Sequence, residues 1–179
     1  DEEDARQLLG ELRQLSRGAL AEMRTLLLEL RPAALVETRL EDLLRQLGEA
    51  FTGRTGLAVR VAISGRCAPP PDVHVALYRI AQEALNNVVK HANAGRVLIS
   101  LRCASKPQGP LQQSVYLAVR DDGRGFDPGK LPTDRLGLGI IRERAVAIGA
   151  SLQVDSQPGH GTQIKVEWEQ RRDQESASQ

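Results

Sequence analysis

Four short segments punctuate this chain in a fixed order: residues 83–91 (EALNNVVKH), 121–126 (DDGRGF), 137–139 (GLG) and 159–162 (GHGT). Each brings a different kind of chemical group, and periodic apolar stretches separate them. A fold that uses all four must draw these points together on one side of its core. One such segment alone constrains little; four in this order constrain the architecture more than any other feature.

The intervening residues read as alternating helices and strands. Over residues 5–30, Leu8, Leu12, Leu15, Ala19, Met23, Leu26 and Leu30 recur at steps of three and four, the seam of an amphipathic helix that calls for a partner helix. Pro32 stops it, because the ring clashes with a continuing turn and biases Arg31 away from helical backbone. Such a stripe can be plain core, but outside the four segments it reads as a bundle or dimer element. Leu40, Leu43, Leu44, Leu47 and Phe51 mark a second amphipathic helix ending near Gly53 and Gly56, and Leu57, Val59, Val61 and Ile63 alternate as a strand.

Residues 64–71 form a loop, and Asp72 is placed to cap a helix over 73–90 that carries the first segment. Residues 97–101 and 115–119 alternate as two strands, an antiparallel pair joined by a solvated turn over 104–113. A Pro- and Gly-bearing stretch over 128–135 precedes a helix over 138–148, and strands follow at 151–156 and 162–168. Residues 170–179 are polar and read as a disordered tail.

With 179 residues, one core is expected. The net charge of +1 supplies no global field toward nucleic acid or lipid, and an aromatic fraction of 3% leaves few platforms for stacking single strands. Cys67 and Cys103 are isolated, so neither a zinc site nor a disulfide framework is implied, and a reducing compartment fits best. No 18-residue apolar run and no secretory leader occur, and the start at Asp1 rather than Met implies a fragment of a longer protein.

The segments carry distinct chemistry. Glu83 and Asn87 are four apart and share a helix face, as do Asn87 and His91, with Asn86 and Lys90 beside them. An Asn oxygen suits Mg²⁺, Lys90 can meet phosphate charge, and Glu83 can accept a proton or orient water; the alternative is a solvated helix face. Asp121 closes a strand, where its carboxylate can accept from an adenine amino group, and Gly123 and Gly125 let the backbone approach a base; the alternative is an Asp-Gly hairpin turn. Gly137 and Gly139 precede a helix whose first amides are natural phosphate donors, although the spacing matches neither the Rossmann fingerprint nor the P-loop. Gly159, Gly161 and Thr162 open the last strand, where a hairpin turn is the plain alternative. His74, His91 and His160 are too dispersed for a metal site, and no GxSxG supports nucleophilic catalysis.

Together the segments resemble the N, G1, G2 and G3 boxes of the GHKL ATPases, shared by sensor histidine kinases, gyrase-type topoisomerases, mismatch-repair ATPases and the ninety-kilodalton heat-shock chaperone. The phrases LRP (30–32), YRIAQEALNNVVKHA (78–92), VRDDGRGF (119–126) and GLGIIRERAVAIGASLQVDSQPGHGT (137–162) are similar to two-component sensor kinases of the nitrate-sensor and cell-envelope-stress type. The resemblance covers about residues 20–168.

It implies an α+β, two-layer α/β sandwich of Bergerat type: a mixed, mostly antiparallel sheet with helices on one face, preceded by a long dimerisation-type helix. By matched position Asn87 would bind Mg²⁺, Glu83 would act as the polar or basic partner, and Lys90 and His91 would approach phosphate. Asp121 would bond adenine, with Gly123 and Gly125 shaping its pocket. Gly137 and Gly139 would hinge a lid over 128–135 and meet the phosphates, Leu138 between them would also bind nucleotide, and Thr162 would help close the adenine side.

The implied domains are residues 1–32, the end of a dimerisation hairpin; 33–169, the ATP-binding catalytic domain; and the 170–179 tail. No phosphoacceptor His in an Arg-rich helix occurs before His74, so the fragment alone is not expected to autophosphorylate. ATP and Mg²⁺ are the implied cofactors. The implied partners are a phosphoacceptor His outside these residues, a response regulator and a second copy in the full-length protein, with no nucleic acid and no direct membrane contact. The implied location is cytoplasmic, whether or not the full-length protein has a membrane anchor. The alternatives are an anti-sigma-type serine kinase of the same superfamily and a noncatalytic nucleotide-sensing or dimerisation module.

Overall fold

Alternation at Val97, Ile99 and Leu101, and again at Val115, Leu117 and Val119, turns one face of each strand inward, and all six side chains are buried. The computed structural model describes residues 6, 8–10, 16, 32–66, 68–106, 112–127 and 136–170. Its elements are α1 (Pro32–Glu37), α2 (Leu40–Thr55), β1 (Ala58–Ser64), α3 (Pro71–Asn87) running into a π-helical turn (Val88–Ala92), β2 (Arg96–Lys106), β3 (Gln112–Asp121), α4 (Leu136–Ala147), β4 (Ser151–Ser156) and β5 (Thr162–Glu169).

The five strands form one sheet in the order β1-β2-β3-β5-β4. β1 pairs with β2 in parallel, and the other three pairs are antiparallel. A parallel pair needs a crossover, and α3 with its π turn supplies it. Apolar stripes of the helices cover one sheet face: Leu43, Leu44 and Leu47 from α2, Leu77, Ile80, Ala84 and Leu85 from α3, and Ile141 and Ala145 from α4. The other face carries exposed Arg60, Arg102 and Arg120, with the Arg102 guanidinium 4.4 Å from the centre of the Tyr116 ring. This is the two-layer α/β sandwich with a mixed, mostly antiparallel sheet that the sequence implies.

Several local expectations change. α2 passes through Gly53 and ends at Gly56, whose φ of 72° and N–H bond to the Thr52 carbonyl form a left-handed cap. Pro32 opens a short helix, α1, because a proline suits the first helical position, and Leu35 buries completely beneath it. α3 starts at Pro71 after Pro70 with no side-chain cap bond, so Asp72 sits inside the first turn rather than capping it. β2 and β3 extend well beyond the apolar alternation to form a long hairpin.

Cys103 on β2 is disulfide-bonded, which corrects the expectation of no disulfide. In the expected leading helix, Arg6, Leu8 to Gly10 and Ser16 are helical and exposed; the rest of that seam, the stretch 128–135 and the tail beyond Gln170 lie outside the described residues. Among the described residues no helix is long and apolar enough to cross a membrane.

Two polar side chains are buried where α1, α2 and α3 meet. His74 on α3 and Glu41 on α2 are both almost fully enclosed, and Arg39 reaches Glu41 at 2.6 Å. Burial pushes the His74 imidazole below its ordinary pKa, against the opposing charge of Glu41 and a bond to the Leu35 backbone.

Candidate functional site

The last turns of α3 form one wall. Glu83 and Asn87 are stacked one turn apart, and at Asn87 the α-helix gives way to the π turn Val88–Ala92. In that turn Val88 and Ala92 are buried while Lys90 and His91 stay exposed. Asn93, at φ 51°, ends the segment in left-handed backbone.

The end of β3 forms the second wall, and its two adjacent aspartates divide the labour. Asp121 is buried and accepts the Gly123 N–H at 2.8 Å. Burial raises its pKa, against backbone hydrogen bonds from Gly123 and Thr162 that favour the ionised form. Asp122 turns outward and accepts the Gly95 N–H at 2.9 Å, the Arg96 N–H at 2.8 Å and the Arg96 Nε–H at 3.0 Å. These bonds, led by that of the Arg96 backbone, hold its carboxyl below the usual range. Asp122 therefore pins β3 to the start of β2, and Asp121 is left to face inward.

Gly123 is obligatory, since a Cβ there would meet the Ala92 carbonyl and lie 2.8 Å from the Ala92 methyl. The Arg124 N–H donates to the Ala92 carbonyl at 2.8 Å, and the Arg124 carbonyl accepts the Gly159 N–H at 2.6 Å. The β4–β5 turn is thereby tied to the end of α3. Within that turn Gly161 has φ 77° and packs on the Asp121 carbonyl, where any Cβ would collide. Ser156 links the pieces: its hydroxyl accepts the Phe126 N–H at 2.9 Å and lies 3.1 Å from the Gly161 carbonyl and 3.0 Å from Thr162 Oγ1.

The start of α4 closes the opposite side. A Cβ on Gly137 would come within 2.7 Å of Asn87 Nδ2 and 2.8 Å of Glu83 Oε1, so glycine lets the helix start lie directly on those two side chains. Asn87 Nδ2 is buried without a hydrogen-bond partner among the described residues. Gly139 has open space where a Cβ would be.

These walls enclose one cavity of about 610 Å³. Of the residues singled out by sequence, Glu83, Asn87, Lys90, His91, Asp121, Gly125, Gly137, Leu138 and Thr162 line it. Gly123 shapes it from behind, and Gly139 does not border it. The lining also includes Arg124, Phe126, Ile140 and Ile164, which the sequence reading did not single out. Arg124 and Phe126 lie inside the DDGRGF segment and so had a positional signal; Ile140 and Ile164 look like ordinary core. A slot of this size with apolar sides, a buried carboxylate at one end and Asn, Glu and Lys at the other suits a small polar ligand with a flat heterocycle.

Residues 72–172 match the family described as the histidine kinase-, DNA gyrase B-, and HSP90-like ATPases. The chain belongs to that family. It is 33% identical, over 92% of its length and 28% of the relative's, to an uncharacterized sensor-like histidine kinase of Chloroflexus aurantiacus. It is 36% identical, over 81% of its length and 38% of the relative's, to the sensor histidine kinase LiaS of Bacillus subtilis. The chain thus spans 28% and 38% of these two curated relatives. Among solved structures, the histidine kinase domain of a blue-light activated kinase from Erythrobacter litoralis superimposes with a TM-score of 0.56 at 24% identity, over 72% of this chain and 60% of that one. That likeness establishes the fold, and with the family match and curated relatives it defines a catalytic ATP-binding domain of the sensor histidine kinase type.

Proposed function

We propose that this domain binds ATP with Mg²⁺ in the 610 Å³ cavity and presents the γ-phosphate to a histidine outside residues 1–179, from which phosphate passes to an aspartate of a response regulator. The observation that carries the reading is the convergence of all four sequence segments on that one cavity, with buried Asp121 at one end and Glu83 and Asn87 at the other. The residues 5–30 seam is then the dimer-forming element, and residues 128–135 are the lid.

At the base end, Asp121 accepts the adenine amino group. A carboxylate rejects guanine, which presents a carbonyl there. The Gly123 N–H holds one Asp121 oxygen at 2.8 Å, which fixes the carboxylate in the cavity lining before ligand arrives. Thr162 and Gly125 close this side, and Phe126 and Ile164 supply apolar surface.

At the phosphate end the residues present fit a hard cation. The Asn87 amide lies against the glycine start of α4 with its nitrogen unpartnered, and rotating its oxygen into the cavity would supply a hard donor for the cation. Asn87 would hold Mg²⁺, with Glu83 orienting a ligand water or accepting a proton. Bound there, Mg²⁺ neutralises charge on the phosphate oxygens. Lys90 and His91 meet remaining phosphate charge, and the helix-start amides of Gly137 and Leu138 donate to the phosphate oxygens. The acceptor imidazole nitrogen attacks phosphorus in line, forming the P–N bond as the bond to the ADP oxygen breaks. The domain's work is positioning and charge compensation.

Calorimetric titration of ATP with and without Mg²⁺ tests the site, with micromolar Mg²⁺-dependent binding expected. Transfer is tested in the full-length protein, where Asn87→Ala should abolish phosphorylation of the acceptor histidine; undiminished transfer refutes the assignment.

A further inference from the structure

The geometry points to Arg124 as a further nucleotide-binding residue whose guanidinium lies on the face of the adenine base. The inference rests on the reading of the cavity as an ATP site. Arg124 is exposed yet lines the same cavity as Asp121. Its backbone is clamped on both sides, by its N–H to the Ala92 carbonyl at 2.8 Å and by its carbonyl to the Gly159 N–H at 2.6 Å. Gly123 against Ala92 and Gly125 at φ 56° fix the chain on either side of it. The side chain therefore leaves from a rigid point on the cavity rim.

Three arginines near or on the sheet are engaged, Arg96 with Asp122, Arg39 with Glu41, and Arg102 over the Tyr116 ring. Among the described residues the Arg124 guanidinium has no hydrogen-bond or ion-pair partner. Its anchors, Ala92 and Gly159, belong to the framework that holds Asp121, and Ala92 ends the π turn that begins just beyond Asn87. That places Arg124 at the base end rather than at the phosphates. A planar, weakly hydrated guanidinium suits the face of a purine in a partly enclosed slot.

The test is the dissociation constants of ATP, ADP and AMP for the wild type, Arg124→Ala, Arg124→Gln and Arg124→Lys, each checked for an unchanged thermal midpoint. A base contact predicts that Arg124→Ala and Arg124→Gln weaken all three nucleotides by a similar factor, about tenfold, with little recovery in Arg124→Lys. Unchanged affinities, or a loss that grows from AMP to ATP and is rescued by lysine, overturn it. A wild type that binds none of the three refutes the ATP reading itself, whereas wild-type binding that survives Arg124→Ala refutes this inference alone.

Discussion

The two ends of the cavity are built on opposite principles. At the base end nearly every polar group is already committed: Asp121 to Gly123, Arg124 to Ala92 and Gly159, and Ser156 to Phe126, Gly161 and Thr162. At the phosphate end the Asn87 amide nitrogen is unpartnered, Glu83 stands beside it, and Lys90 and His91 project from a widened turn. A base is neutral and rigid, so it is recognised by a framework preorganised through the backbone. Phosphates and a cation bring their own charge, and the groups that meet them are left open. Affinity for the base is then fixed before binding, while the phosphate end is completed by the ligand.

The comparison breaks most readily at Asp121. Asp121→Asn should weaken ATP binding on the order of a thousandfold, because an amide presents a donor to the adenine donor. The unliganded protein should melt no lower, since the change removes a buried charge whose pKa burial has already raised. A large drop in thermal midpoint with ATP binding retained would make Asp121 a structural residue. Gly161→Ala probes the same framework through its backbone: a side chain at φ 77° against the Asp121 carbonyl should cost roughly 2–3 kcal/mol in chemical denaturation, and a variant as stable as wild type would show that the turn is loose.

The phosphate end should respond differently. Asn87→Ala should remove the Mg²⁺-dependent part of ATP affinity, on the order of tenfold, with folding stability little changed, and titrations with and without Mg²⁺ separate the two effects. Ser156→Ala sharpens the contrast on a finer scale. It leaves the Phe126 N–H and the Thr162 hydroxyl short of a partner, so stability should fall by about 1–2 kcal/mol while the Mg²⁺ dependence stays intact.

The smallest effect expected is a pH dependence outside both ends. The His74 pKa is lowered by burial, so the stability it contributes is fully present above its ordinary value of 6.5 and is lost as pH falls through the lowered one. Melting midpoints recorded down to acid pH should decline there, and His74→Leu should flatten the decline.

What the sequence made legible follows the same divide. Inward alternation at Val97 to Leu101 and Val115 to Val119 located the central strands, because burial on one face imprints period two. The N-box helix and the four segments were legible because glycines and stacked polar residues have few other uses in such places. Pairing was less visible: nothing local records that β1 runs parallel to β2, since that depends on the α3 crossover. The π turn left no mark in residue type, and Pro32 was ambiguous because the same ring that ends one helix can begin another. Asp121 continues the inward phase of Val115, Leu117 and Val119, so the alternation already separates it from Asp122, whereas the pairing of Asp122 with Arg96 depends on the register of β2 against β3. Ser156 gave no signal at all, because its role is to join the β4–β5 turn to Phe126, thirty residues away in the chain.

The central claim is that both ends serve one bound molecule, and an amide-resolved NMR titration of this chain with Mg²⁺ and a nonhydrolysable ATP analogue tests it most directly. The account predicts that the amides of Gly123 and Thr162 at the base end and of Gly137 and Leu138 at the phosphate end shift together, along curves fitted by a single dissociation constant. Shifts confined to one end, or two ends titrating with different constants, would contradict it.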